Sequence, residues 1–133
     1  MRRVFADTFY YLALLNRLDE AHEQATEITA EYSGQMVTTD WIITELADGL
    51  SNVASRATLI EFVDNLRSDR AVRIVPANHA LLQRGWNLYR SRADKDWSLT
   101  DCISFSVMRE MKLTDALSGD QHFEQAGFRL LMK

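Results

Sequence analysis

The sequence has a single cysteine, Cys102. That excludes an intramolecular disulfide and any zinc site built from several cysteines. One proline and five glycines leave little material for linkers, and no repeat or low-complexity tract breaks the chain. No stretch approaches the roughly 20 apolar residues that a membrane span needs. A basic excess is also missing. The net charge of −4 and pI near 5.3 argue against a protein that coats nucleic acid by bulk charge. They do not exclude an enzyme that meets nucleic acid through a metal and a few local arginines. No P-loop, dinucleotide-binding glycine motif or nucleophile elbow is present. The first fifteen residues carry two arginines and an apolar run, but Asp7 interrupts them and no small-residue cleavage site follows. A reducing, cytoplasmic setting is the expectation, with no membrane partner.

What is present suits one domain over residues 1–133. Apolar residues make up 47% of the chain, ample for a core. Short apolar runs at 3–6, 35–38, 71–77, 115–119 and 128–132 read as strands. Helical patterns fill 8–18, 19–34, 39–52, 54–69, 78–92 and 98–112, with a helical turn at 120–126. Thr8 is a candidate N-cap for the first helix, Thr39 or Asp40 for the third, and Gly34 a candidate stop for the second. Strands alternate with helices and no two-residue hairpin joins them. The expected fold is α/β, a three-layer α/β/α sandwich around a parallel sheet of about five short strands.

In such a sheet, ligands bind beyond the carboxyl ends of the strands. Asp7 follows the first strand and Asp120 the fourth. Asp101 opens the helix that feeds the fourth strand, so its N-terminus belongs to the same rim. Glu45 lies about two turns into the helix after the second strand, among Trp41, Ile42 and Leu46. Four carboxylates crowded together repel one another and lose solvation, so they favour protons or a cation. A cluster of oxygen ligands alone favours Mg²⁺ or Mn²⁺ over zinc. Such ions activate water and clamp phosphate oxygens in nucleases.

Each acid also has an ordinary explanation. Ser98 and Asp101 form an S-x-x-D pattern, close to a capping box. Asp120 could cap the short helix after Gly119, Asp7 could be a plain loop residue, and Glu45 could pair with an arginine. His22, His79 and His122 lack metal-ligand spacing and read as surface or helix-end residues. Cys102 reads as a buried, inert thiol. Arg90, Arg92 and Lys95 could hold RNA phosphates or be a solvated charge run, and Asp94 and Asp96 could be outer acids of the site or loop acids. Phe9, Tyr10, Tyr11 and Leu14 are either core or a groove for a partner or self-dimer.

Four segments taken in order, VFADT (4–8), TELADGL (44–50), WSLTDCISFSVM (97–108) and ALSGDQHFEQAGFRLL (116–131), resemble the PIN-domain nucleases, in particular the VapC-type toxins of toxin–antitoxin pairs. The resemblance runs over nearly the whole chain. It implies an endoribonuclease dependent on Mg²⁺ or Mn²⁺, with Asp7, Glu45, Asp101 and Asp120 as the acidic quartet. Thr8, Asp96 and Ser118 match supporting positions around it. It further implies an RNA substrate, a cognate antitoxin and, as a common family trait, a homodimer. An RNA-maturation nuclease without toxicity and a catalytically silent binding module remain the alternatives.

Overall fold

A computed structural model describes residues 2–133. Its sheet has five strands, all parallel, in the order β3-β2-β1-β4-β5. These are β1 (Arg3–Ala6), β2 (Gln35–Thr39), β3 (Val72–Val75), β4 (Asp115–Leu117) and β5 (Arg129–Leu130). The helices are α1 (Thr8–Leu15), α2 (His22–Glu31), α3 (Asp40–Gly49), α4 (Val53–Ser68), α5 (His79–Ser91), α6 (Leu99–Glu110) and α7 (Gln121–Gln125). Among the described residues, no helix is long and apolar enough to cross a membrane.

The strand order fixes the layers. From β1 the chain steps outward to β2 and β3, then returns to β4 and continues to β5. Right-handed crossovers place helices of the two directions on opposite faces. The contacts agree: α1 packs with α2 and α3, and α3 with α4, while α6 packs with α5 and α7. Each face has its own aromatic cluster. Tyr10 and Tyr11 are fully buried, and Tyr11 meets Phe62 of α4 edge-on with centroids 5.6 Å apart. The N-terminal aromatics are therefore core, except Phe9, which is exposed. On the other face Phe105 is the hub, 5.0 Å from both Trp97 and Phe123 in edge-to-face geometry. Such pairs add about 0.5–1.5 kcal/mol each beyond their buried area.

Several ends differ from the sequence expectations for local reasons. α1 stops at Leu15 rather than residue 18, because Asn16 Oδ1 accepts from Leu18 N at 3.0 Å and turns the chain. Asp19 Oδ1 does the same for Ala21 N at 2.8 Å, which delays α2 to His22. α2 ends at Glu31, so Gly34 is not its stop residue. Its φ of 145° instead serves the entry to β2, where a Cβ would lie 2.6 Å from the Arg2 carbonyl oxygen. The N-cap of α1 is Asp7, not Thr8, and that of α3 is Thr39. The expected strand 128–132 pairs only at Arg129–Leu130, pinned by Arg129 against Asp115 with N···O distances of 3.1 and 2.8 Å.

α5 and α6 pack closely because Gly85 sits on Ile103. A Cβ at Gly85 would lie 2.3 Å from Ile103 Cγ1 and 3.3 Å from the Ile103 backbone. This crossing holds the start of α6, and with it Asp101, at the carboxyl rim of the sheet.

Candidate metal centre

The order reverses between β1 and β4, and that switch point is where an open parallel sheet leaves a crevice. Phe5 pairs with Ala116 and Ala6 with Leu117, so the next residues, Asp7 and Ser118, face one another. Asp7 N donates to Leu117 O at 3.3 Å, extending the ladder one step. Ser118 Oγ, fully buried, donates to Asp7 Oδ2 at 2.8 Å. The same carboxylate oxygen caps α1 by accepting from Phe9 N at 3.4 Å.

Asp7 is only 5% exposed. Burial raises its pKa, and the charges of Asp101 and Glu45 push the same way. The Ser118 hydroxyl and the Thr8 backbone oppose them only in part, leaving the carboxyl at about 7. Asp7 thus feels two of the three other acids that the sequence pointed to, Asp101 and Glu45. Glu45 is exposed on α3 and reaches back to α1, where Thr8 Oγ1 donates to its Oε1 at 2.5 Å. Its partner is this hydroxyl, not an arginine.

Asp101 is both cap and cluster member. Its Oδ2 accepts from Ser98 N at 3.1 Å while Ser98 Oγ accepts from Asp101 N at 3.0 Å, a complete capping box. The same Oδ2 accepts from His122 Nδ1 at 2.9 Å. Asp120 caps α7 by accepting from His122 N at 2.9 Å, and its own N donates to Ser118 Oγ at 3.0 Å. Its Oδ1 lies 3.5 Å from His122 Nδ1. One ligand atom from each of Asp101, Asp120 and His122 falls within 4.8 Å of the others.

His122 stands at a helix end, as the sequence suggests, but its imidazole also joins Asp101 and Asp120, so the candidate cluster is not made of oxygen atoms alone. Burial lowers its pKa, but the hydrogen bond to Asp101 and the charges of Asp120, Asp101 and Asp96 outweigh that and raise it overall. The sequence signal was faint: a histidine two residues after a capping aspartate on the carboxyl rim. His22 bonds the Ala13 carbonyl instead, and His79 is exposed at the start of α5.

The remaining residues lie beside this rim. Asp96 is exposed, and its charge acts on His122. Arg90, Arg92 and Lys95 line a neighbouring cleft with Asp96. Arg92 is not free for a ligand, since Asp94 holds its guanidinium at 3.0 and 3.1 Å. Cys102 is buried and its thiol is pushed up by burial and by Asp101, which keeps it protonated.

The fold and this rim define a class first: an open parallel α/β/α sandwich with carboxylates gathered at its switch point. More particularly, the PIN-domain family model matches residues 4–129, and the chain belongs to the PIN-domain family. It is 25% identical over 125 residues to the 23S rRNA-specific endonuclease VapC20 of Mycobacterium tuberculosis, covering 94% of this chain and 95% of that protein. The crystal structure of VapC20, described as a sarcin–ricin loop cleaving toxin, superposes with a TM-score of 0.89 at 23% identity, over 98% of this chain and 99% of that one. FitAcB from Neisseria gonorrhoeae has the same fold, with a TM-score of 0.70 at 15% identity over 96% and 95% of the two chains. So does VapBC2 from Rickettsia felis, solved with a DNA fragment from its promoter, with a TM-score of 0.69 at 12% identity over 97% of each chain.

Proposed function

We propose that this chain is a divalent-metal-dependent endoribonuclease that hydrolyses RNA phosphodiester bonds, and that it is the toxin of a toxin–antitoxin pair. The observation that carries the chemistry is Asp7: a nearly buried carboxyl at the switch point, pressed by the charges of Asp101 and Glu45. Once ionised, such a carboxylate is costly unless a cation occupies the site. The toxin role and the RNA substrate are supported by similarity to VapC20 across 94% of the chain.

The donor set fits a divalent ion. Asp7 and Asp101 would hold it, with Glu45 and Asp120 completing the site directly or through water. Were the His122 imidazole to leave Asp101 and bind the ion, it would lean the preference toward Mn²⁺ over Mg²⁺. A bound ion supplies charge to the phosphate oxygens and lowers the pKa of water. The protein's own groups do the rest. Ser118 holds the Asp7 carboxylate, Thr8 holds Glu45, and His122 with Ser98 holds Asp101. An ionised carboxylate of the quartet takes the proton of the attacking water, and Arg90 and Lys95 steady the RNA backbone.

The test is cleavage of ribosomal RNA by the wild type and by Asp101→Asn, each with Mn²⁺, Mg²⁺ or EDTA. Discrete fragments only from the wild type with metal are expected. Equal cleavage by both proteins contradicts the assignment, and RNA or metal binding without turnover makes the chain a binding module. Growth arrest on expression, relieved by a cognate antitoxin, separates a toxin from an RNA-maturation nuclease.

A further inference from the structure

Helix α5 presents two large aromatic side chains that the core does not use. Trp86 and Tyr89 are 40% and 44% exposed. Three residues apart, they share one face of the helix. Their rings meet edge-on, with centroids 5.6 Å apart and planes at 88°. They line a cleft of about 570 Å³ together with Arg90, Arg92, Lys95, Asp96 and Trp97. On the far wall Arg92 lies over the Trp97 ring at 5.0 Å and pairs with Asp94. Among the described residues, Arg90 and Lys95 have no carboxylate within ion-pairing distance. The cleft is thus a cationic and aromatic patch on an acidic protein.

It is also continuous with the acidic rim. Asp96 and Trp97 line the cleft and lead straight into Ser98, whose hydroxyl accepts from Asp101 N at 3.0 Å. Trp97 Nε1 donates to Gln125 Oε1 of α7 at 3.0 Å, which ties the cleft wall to the helix that Asp120 caps.

We propose that the cleft is a nucleotide subsite. It takes one unpaired nucleotide flanking the scissile phosphate, with the base stacked on Trp86 and edge-on to Tyr89, and the adjacent phosphate on Arg90 and Lys95. Aromatic faces beside unpaired cations are the combination that binds single-stranded nucleic acid. An acidic peptide would meet the same cations, but only a nucleic acid loses affinity when a single base is removed. The inference rests on the nuclease reading for its substrate and deepens it.

The test measures binding in EDTA at low salt, so turnover does not enter. The probes are a fluorescently labelled single-stranded hexaribonucleotide and versions carrying an abasic ribose at each position in turn. For the wild type, one abasic position should weaken binding by about 5- to 150-fold, the range for losing one stacked base. Trp86→Ala should bind the intact and abasic RNAs alike, whereas Trp86→Phe should restore the difference. An unchanged thermal unfolding midpoint for Trp86→Phe controls for folding. Equal wild-type affinity for intact and abasic RNA, or no binding to either, overturns the subsite. Cleavage without this base dependence would leave the nuclease standing and sink the subsite; base dependence without cleavage would do the reverse.

Discussion

Ser118 and Asp7 are 111 residues apart in sequence and joined by a 2.8 Å hydrogen bond between two buried side chains. The β1–β4 register makes this bond, and the bond fixes the carboxylate at the centre of the rim. Ser118→Ala removes it while keeping the strand. We expect Mn²⁺ affinity to fall about 10- to 100-fold, the usual cost of losing a group that orients a ligand. Calorimetric titration of the two proteins with Mn²⁺ checks this, and unchanged affinity would count against it.

Burial lifts the Asp7 pKa to about 7 in the metal-free protein, against an ordinary value of 3.8. The folded state therefore keeps its proton over a range where the unfolded chain has lost it. Stability from this group is present below pH 4 and is lost as pH rises from about 4 to 7, at about 1.4 kcal/mol per unit of displacement. Thermal melts in EDTA should show this decline, and Asp7→Asn should remove it. Asp7→Asn should also be the more stable protein at pH 8 without metal, yet gain nothing from Mn²⁺. An identical pH profile for both proteins would refute the burial argument.

His122 links the starts of α6 and α7 through Asp101 and Asp120. His122→Ala should weaken Mn²⁺ binding by roughly tenfold or more. The comparison with Mg²⁺ separates two roles. An imidazole that binds the ion costs more with Mn²⁺ than with Mg²⁺, and one that only orients Asp101 costs the same with both. Paired titrations read the difference.

Gly85→Ala should act at a distance. The new methyl meets Ile103, two residues beyond Asp101, and part of that contact is backbone that cannot swing aside. Overpacking of this kind costs about 1–3 kcal/mol. Urea unfolding should show the loss, and Mn²⁺ affinity should fall with it because α6 must shift. Gly49→Ala is the control for a new side chain alone: its Cβ meets only Leu12 Cδ2 at 3.8 Å, an ordinary van der Waals contact.

The strands and most helices were legible because buried parallel strands are short apolar runs and caps leave residue signatures. Asp7 could be placed at the carboxyl rim from the end of β1 alone, and Ser98 and Asp101 announced a cap. The cap is not the only use of the Asp101 carboxylate, since the oxygen that accepts from Ser98 N also accepts from His122 Nδ1. What stayed hidden depends on tertiary approach. The Thr8–Glu45 bond spans 37 residues and His122–Asp101 spans 21. No local pattern encodes which hydroxyl or imidazole a crossover will bring to a carboxylate. Leu18 misled for the opposite reason: it continues an apolar run but is 93% exposed, because Asn16 has already turned the chain.

The most direct measurement is anomalous X-ray diffraction at the manganese edge from crystals of the protein soaked in Mn²⁺. A peak bonded to carboxylate oxygens of Asp7 and Asp101, and absent in Asp7→Asn crystals, is the expected result. No peak there at saturating Mn²⁺, with Asp101 still bonded only to Ser98 and His122, would mean that the rim is a capping and hydrogen-bonding network and not a metal centre.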